Sequence, residues 1–244
     1  MKSYTRRDLS IITGFGSHED ALIIACDSCG GIGDKEHDKF KISPYYVGKL
    51  TARVVLTEVI CSGATPITIA NAVSCEMRPT GEEIIRGIQD ELENANLKDV
   101  VLTGSTEENV ETLMTAAGIT AIGVAKENAL KFNKAQKDDK VIAFGVPKVG
   151  VEVDLQDKGF YELIKYLLTL SDIREIIPIG SKGIDHEARI IAELSGVKFI
   201  QSNTSIDIKK SAGPATCLIA ICSNEIIKEL KHIYPLVSVV GRIC

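Results

Sequence analysis

Residues 23 to 38 read IIACDSCGGIGDKEHD, and the character of the chain changes abruptly within them. The apolar run from Ala21 to Ala25 predicts a buried strand. It stops at Asp27, ahead of three glycines and further acids. A strand closed by a carboxylate and a glycine-rich loop is one way to present polyanion chemistry. Glycine backbone lets N–H groups approach phosphate oxygens, and Asp27, Asp34 and Asp38 are of the type that holds the accompanying divalent cations. The expectation is a nucleotide and magnesium site with the rest of the chain built around it.

The segments that follow predict alternating elements. From Tyr46 to Ser62 apolar residues recur at helical spacing, and Val47, Thr51, Val54, Val55 and Glu58 share one face. A carboxylate on an apolar stripe is costly unless a cation or hydrogen-bond donors meet it, so Glu58 has two readings: a metal-facing acid, or the partner of a buried Arg or Lys. Gly63 ends the helix, and TPITIANAVSC predicts a second strand. A helix over 81–96 follows, with Thr80 and Glu83 spaced as a capping box. A strand over 99–104 runs into the polar loop STEEN and a helix through Ala117, and a strand over 119–126 closes this half.

Residues 127–140, ENALKFNKAQKDDK, are charged and poor in apolar side chains, which places a boundary between a domain over 1–130 and another over 138–244. The second half predicts strands at 140–146, 175–179, 197–201, 215–222 and near 237–242, with helices around 158–170, 185–195 and 224–231. The fold class expected is α/β or α+β, with polar loops gathered at strand ends.

Charge and composition narrow the partners. A net charge of −5 with no Lys/Arg-dense stripe argues against nucleic acid and favours a small molecule. No apolar run reaches membrane-span length, and the first residues lack the apolar core of a secretory signal, so a cytoplasmic protein is expected. Seven cysteines scattered through apolar segments read as small buried hydrophobes, and Cys26 and Cys29 lack the context of a redox pair or zinc site. GGIGDK does not have Walker A spacing, and GFGS near residue 14 does not give the dinucleotide fingerprint. Glu19 and Asp20 read equally as a solvated turn or as metal ligands. His37, between Glu36 and Asp38, is the histidine to test beside the glycine loop.

Three stretches taken together resemble the aminoimidazole ribonucleotide (AIR) synthetase-like superfamily, which includes thiamin-monophosphate kinase, selenophosphate synthetase and hydrogenase maturation factors. GGIGDKEHD resembles the purine enzyme's glycine loop and following HD, ARVVLTEVICSGATP resembles the family helix, and LTGSTEEN resembles its GGET or GGDT loop. The resemblance covers residues 14–126 and continues more weakly through GSKGIDHEA and SAGPATCLI. It implies a two-domain fold, an N-terminal α/β domain dimerising through its sheet, with ATP and several Mg²⁺ ions bound at the dimer seam, and a C-terminal α/β domain covering the substrate.

By position the resemblance puts metal carboxylates on Glu19 or Asp20, on Asp27 and on Glu58, with Glu107 or Glu108 in place of the acid lost at Ser105. Nucleotide contacts fall on Gly30, Gly31, Gly33, Lys35, Arg53, Gly104, Ser105 and Thr106. Arg53 has further readings as a partner of Glu58 or an exposed helix arginine. Asp34, His37 and Lys35 are the expected catalytic group. Lys182 stands where the family often has an Asp. Among short members, residues 33–66 and the compact second half resemble α-ribazole kinases, and that resemblance implies a transferase that phosphorylates the 5′-hydroxyl of α-ribazole in cobalamin biosynthesis. The alternatives are a thiamin-monophosphate kinase-like enzyme and a non-catalytic ATP-binding regulator or maturation protein.

Overall fold

The first two strands, β1 (Lys2–Arg6) and β2 (Leu9–Phe15), form a hairpin turned by Arg7 and Asp8. The protein is described here as a computed structural model over residues 1–16 and 19–244; Ser17 and His18, from the polar stretch GFGSHED, lie outside the described residues. The hairpin is not evident from composition, because β1 is exposed along most of its length and offers no apolar alternation to read.

Contacts divide the chain into two units. The first comprises Met1–Ile60, Ala64–Ala129 and Leu155–Tyr161. After the hairpin come β3 (Asp20–Gly30), the short strands β4 (Ile32–Gly33) and β5 (Phe40–Lys41), α1 (Pro44–Cys61), β6 (Thr65–Val73), α2 (Glu82–Asn94), β7 (Val101–Thr106) and β8 (Ala116–Lys126). The main sheet runs β1-β2-β3-β8-β6-β7, with β6 and β7 parallel and every other neighbour antiparallel. One face carries Leu9, Ile11, Ile23, Ala25, Ile69, Ile119 and Ala121, all buried. The opposite face carries Ile12, Leu22, Ile24, Ile122 and Val124 at intermediate exposure, with Ile24 paired to Ile122 and Leu22 to Val124.

The helix α1 is buried on nearly all sides between Thr51 and Ile60, so its amphipathic stripe is broader than the sequence spacing indicates. It meets α2 through two glycines. A Cβ on Gly48 would lie 1.9 Å from the Ile84 carbonyl oxygen, and one on Gly87 would lie 1.9 Å from that of Tyr45. That contact leaves no room for any side chain.

Two expectations in this half are corrected. No helix follows the STEEN loop: Val110, Leu113 and Met114 have helical spacing, but all three are exposed and pay for no helix by burial. The Thr80–Glu83 capping box is absent. Gly81 is the N-cap of α2 without a side-chain bond, and the Thr80 hydroxyl donates to Glu76 instead.

The second unit comprises Cys61–Gly63, Leu130–Asp154 and Glu162–Cys244. Its strands are β9 (Lys140–Gly145), β10 (Ile173–Pro178), β11 (Phe199–Gln201), β12 (Cys217–Cys222) and β13 (Val237–Ile243), joined by α3 (Tyr161–Thr169), α4 (Gly183–Leu194) and α5 (Ile227–Ile233). The sheet is antiparallel in the order β10-β12-β9-β13-β11. Every residue of β12 is buried, as expected for a continuous apolar run in a central strand. Ile184, Ala188 and Ile191 of α4 pack into a core with Ile177, Ile219 and Val240. No helix is long and apolar enough to cross a membrane among the described residues.

Candidate functional site

Three loops of the first unit meet at one edge of its sheet. Strand β3 ends there at Gly30, paired with Ala116 at the start of β8, while parallel β6 and β7 end side by side at Val73 and Thr106. Backbone bonds then tie the loops together. The Gly31 amide donates to Thr115 (2.9 Å), His37 to Leu113 (2.9 Å), Ser74 to Ala116 (2.9 Å) and Glu107 to Cys75 (3.0 Å). Buried backbone groups need partners, and here each loop supplies them to the next.

Two side-chain connections fix the glycine loop. Asp38 is buried and accepts from the Lys35 amide (2.9 Å), the Thr115 amide (2.8 Å) and the Thr115 hydroxyl (2.7 Å). With those lone pairs engaged, Asp38 works as a structural latch, and not as the cation ligand expected from the sequence. Gly33 is glycine for space: a Cβ there would lie 2.2 Å from Thr115 Oγ1. The Gly31 amide is likewise committed to Thr115, which leaves Gly30, with open space around its Cα, as the accessible glycine of the three.

Lys35 is a half-buried cation of this edge, beside Lys41, whose ammonium donates to the Lys35 and Glu36 carbonyl oxygens. The Lys35 Nζ lies 2.6 Å from Glu76 Oε2, and Glu76 Oε1 accepts from Thr80 (2.5 Å). Burial works to lower the Lys35 pKa, but the bond and charge of Glu76 outweigh it and hold the ammonium above its usual range. Burial likewise opposes ionisation of Glu76, and the Lys35 and Thr80 bonds reverse that and lower its pKa. Asp34 and His37 are exposed on the same loop. The arrangement offers a charged lysine, an exposed acid and an exposed imidazole around an accessible glycine.

The expected metal set is not brought together. Asp20 starts β3 and pairs with Lys126 (2.7 Å), ten residues up the strand from Gly30 and so about 33 Å away. Glu58 is met by Arg7, whose two terminal nitrogens lie 2.8 to 3.3 Å from its carboxylate oxygens. The second of its two sequence readings, a buried cation partner, is therefore the one realised. Glu107 accepts from the amides of Asn109 (2.8 Å) and Val110 (3.2 Å), and Glu108 Oε1 accepts from the Met77 amide and Thr106 hydroxyl, both at 2.7 Å. Asp27 is half-buried, and desolvation, with Asp8 nearby, raises its pKa. Among the described residues no group of three acids, histidines or cysteines is placed to hold a metal ion.

Arg53 also departs from its expected phosphate role. It is buried, with Nε 2.7 Å from Glu91 Oε1 and a terminal nitrogen 2.6 Å from the Asp157 carbonyl oxygen. Gly104 is explained by packing, since a Cβ there would lie 2.4 Å from Asn71 Oδ1, whereas Ser105 is exposed on edge strand β7. Cys26 is exposed and Cys29 half-buried, so Cys26 is not the core cysteine expected. Three residues apart on a strand they project to opposite faces about 10 Å apart, beyond disulfide reach, and burial pushes the Cys29 thiol up to about 11. Sequence reasoning missed Glu76, Thr115 and Arg7. Glu76 was the readable one, an acid just past the end of the strand TPITIANAVSC.

Comparison with known proteins adds the family. Residues 11–125 match the AIR synthase related protein, N-terminal domain. No curated protein sequence matches the chain. Among solved structures, the thiamine-monophosphate kinase of Stenotrophomonas maltophilia superposes with a TM-score of 0.66 at 16% identity, over 98% of this chain and 89% of that one. AaThiL complexed with AMPPCP and TMP gives 0.67 at 15% identity, over 97% and 84%. T. maritima PurL complexed with AMPPCP gives 0.68 at 14% identity over 91% of this chain, which spans only 40% of that protein's length. At these identities the likeness establishes the fold.

Proposed function

Because residues 11–125 match the AIR synthase related protein, N-terminal domain, we propose that the chain is an ATP-dependent small-molecule kinase whose nucleotide binds at the loop edge of the first unit. The observation that carries this reading is the convergence of the Gly30–Asp38 loop with the loops after β6 and β7 around Lys35. Structural neighbours complexed with AMPPCP support a nucleotide as the ligand. In phosphoryl transfer the protein mainly positions the in-line attack and offsets negative charge. Lys35 is the residue for the phosphates, exchanging Glu76 for a phosphate oxygen. Gly30 lets the backbone approach, Ser105 and Thr106 border the nucleotide, and Asp34 and His37 face the acceptor hydroxyl.

The acids present do not fit a pre-built magnesium cluster, so no step is routed through metal. Dimerisation through the half-exposed sheet face of Ile12, Leu22, Ile24, Ile122 and Val124 follows from the same family reading, since a contiguous apolar face of this kind suits a second copy. The 138–244 domain is the substrate-covering part. The acceptor proposed is α-ribazole at its 5′-hydroxyl. ATP consumption measured with and without Mg²⁺, in the presence of α-ribazole or thiamin monophosphate, tests it. Turnover with α-ribazole is expected; turnover with thiamin monophosphate alone reassigns the acceptor.

A second reading has its own observation. Lys35 is held by Glu76, and the family acid is replaced by Ser105, which favours a nucleotide-binding regulator that does not catalyse. AMPPCP binding without ATP consumption for any nucleoside or nucleotide acceptor is the outcome that selects it.

A further inference from the structure

We infer that the second unit holds a binding site of its own for a small molecule carrying an anionic group and a cationic or N–H donor group on an apolar body. The site is a cavity of about 430 Å³, within the range usual for small-molecule pockets. Val146, Pro147 and Ile206 give it apolar surface, and Val146 is left 41% exposed although it is a large hydrophobe directly after β9.

Two lysines and two acids share the cavity, and they are not equivalent. Lys210 is held by Glu152 at 2.7 and 2.8 Å, and the same carboxylate accepts from the Val149 amide (3.3 Å). That pair satisfies itself. Lys148 feels the charge of Glu152 but makes no ion pair among the described residues. Its backbone is fixed, because its amide donates to the Thr216 hydroxyl (3.0 Å), which in turn donates to the Lys148 carbonyl oxygen (3.0 Å). Asp207 is the counterpart. Its Oδ1 accepts from the Lys209 amide (3.0 Å), and no cation pairs with it among the described residues. Lys148 is half-buried and Asp207 is exposed at the cavity mouth, and neither is spent on an ion pair among the described residues, so a molecule carrying both charges makes two charge-assisted contacts where a singly charged one makes one.

This site lies wholly within the second unit and stands apart from the nucleotide reading. It is tested on the full chain by ligand-observed NMR and calorimetric titration with three probes: 4-(aminomethyl)benzoate, benzoate and benzylamine. The expected order has the zwitterion tightest by roughly tenfold over either single-charge probe. Lys148→Met is expected to weaken the zwitterion about tenfold and to remove binding of benzoate, with Lys148→Arg restoring both. Asp207→Asn should act in the same way on benzylamine. Thermal unfolding of each variant checks that the fold is intact. Equal affinity for the three probes, binding of none of them, or indifference to both substitutions overturns the inference. Loss of AMPPCP stabilisation in the unsubstituted chain overturns the nucleotide reading and leaves this one standing.

Discussion

Two ion pairs in the first unit have the same chemistry and opposite settings. Arg53 and Glu91 bridge α1 and α2 with the Glu91 carboxylate fully buried and bonded to Arg53, the Tyr161 hydroxyl (2.7 Å) and the Asn94 amide (3.1 Å). Lys35 and Glu76 bridge two loops at the sheet edge, with side chains 15% and 30% exposed. A buried pair held by several further bonds has nothing left to offer a ligand, and losing one member strands a charge away from water. A pair that is only partly buried keeps contact with water and can exchange partners at lower cost. The difference separates an arginine that holds helices together from a lysine that can meet a phosphate, although both look like candidate phosphate ligands in the sequence.

The largest effect that would break this comparison is expected from Glu91→Ala, which leaves Arg53 buried without its acid. Unfolding in urea should show a loss of about 3–5 kcal/mol. If it behaves like an exposed pair, at under about 1 kcal/mol, the contrast fails. Tyr161→Phe removes one donor from Glu91 while Arg53 and Asn94 remain, so about 1 kcal/mol is expected in the same assay. The Tyr161 hydroxyl sits where burial, then the charge of Glu91, pushes its pKa well above the usual value, and no ionisation is expected in ultraviolet titration before unfolding.

Lys35→Met is expected to change stability by under about 1 kcal/mol but to abolish the thermal shift caused by AMPPCP. Its coupling to Glu76 has a defined pH window. Glu76 has a lowered pKa, so its contribution is present above the ordinary value of 4.5 and lost as pH falls through the folded value. Lys35 has a raised pKa, so its contribution is present below the ordinary value of 10.5 and lost as pH rises through the folded value. A double-mutant cycle repeated across pH should show coupling between those limits and none beyond them.

The smallest effect has the opposite sign. Asp27 has a raised pKa, chiefly through burial, so its charged form works against the fold at neutral pH and protonation relieves it. Asp27→Asn should raise Tm slightly at pH 7, and the gain should disappear as pH falls through the folded value of Asp27. A Tm unchanged at pH 7 and an unchanged pH profile would show that Asp27 is solvated, like Asp34.

Much of the scaffold was legible. The run ending at Asp27 lies in strand β3, which does not stop there but stays paired with β8 as far as Gly30; the helical spacing from Val47 to Glu58 is α1, and the second half contains the strands and helices its apolar periods indicate. Glu58 was correctly marked as an acid facing inward, and a buried cation was one of its two readings. Which cation was not readable, because Arg7 lies 51 residues away on a hairpin with little apolar pattern. Glu91 carried a signal that went unused: with Ile84, Ile88 and Leu92 it shares the buried face of α2.

The sequence by itself determined where elements form and that polar loops close the strands, because side-chain period and glycine placement are local properties of the chain. Tertiary structure alone decided which acid meets which cation. Asp20, Glu58 and Glu107 look equally available as residue types, but strand length carries the first about 33 Å from the glycine loop, Arg7 meets the second, and local amides cap the third. Electrostatic partnership depends on distance and burial in the folded chain, and neither is written in the order of residues.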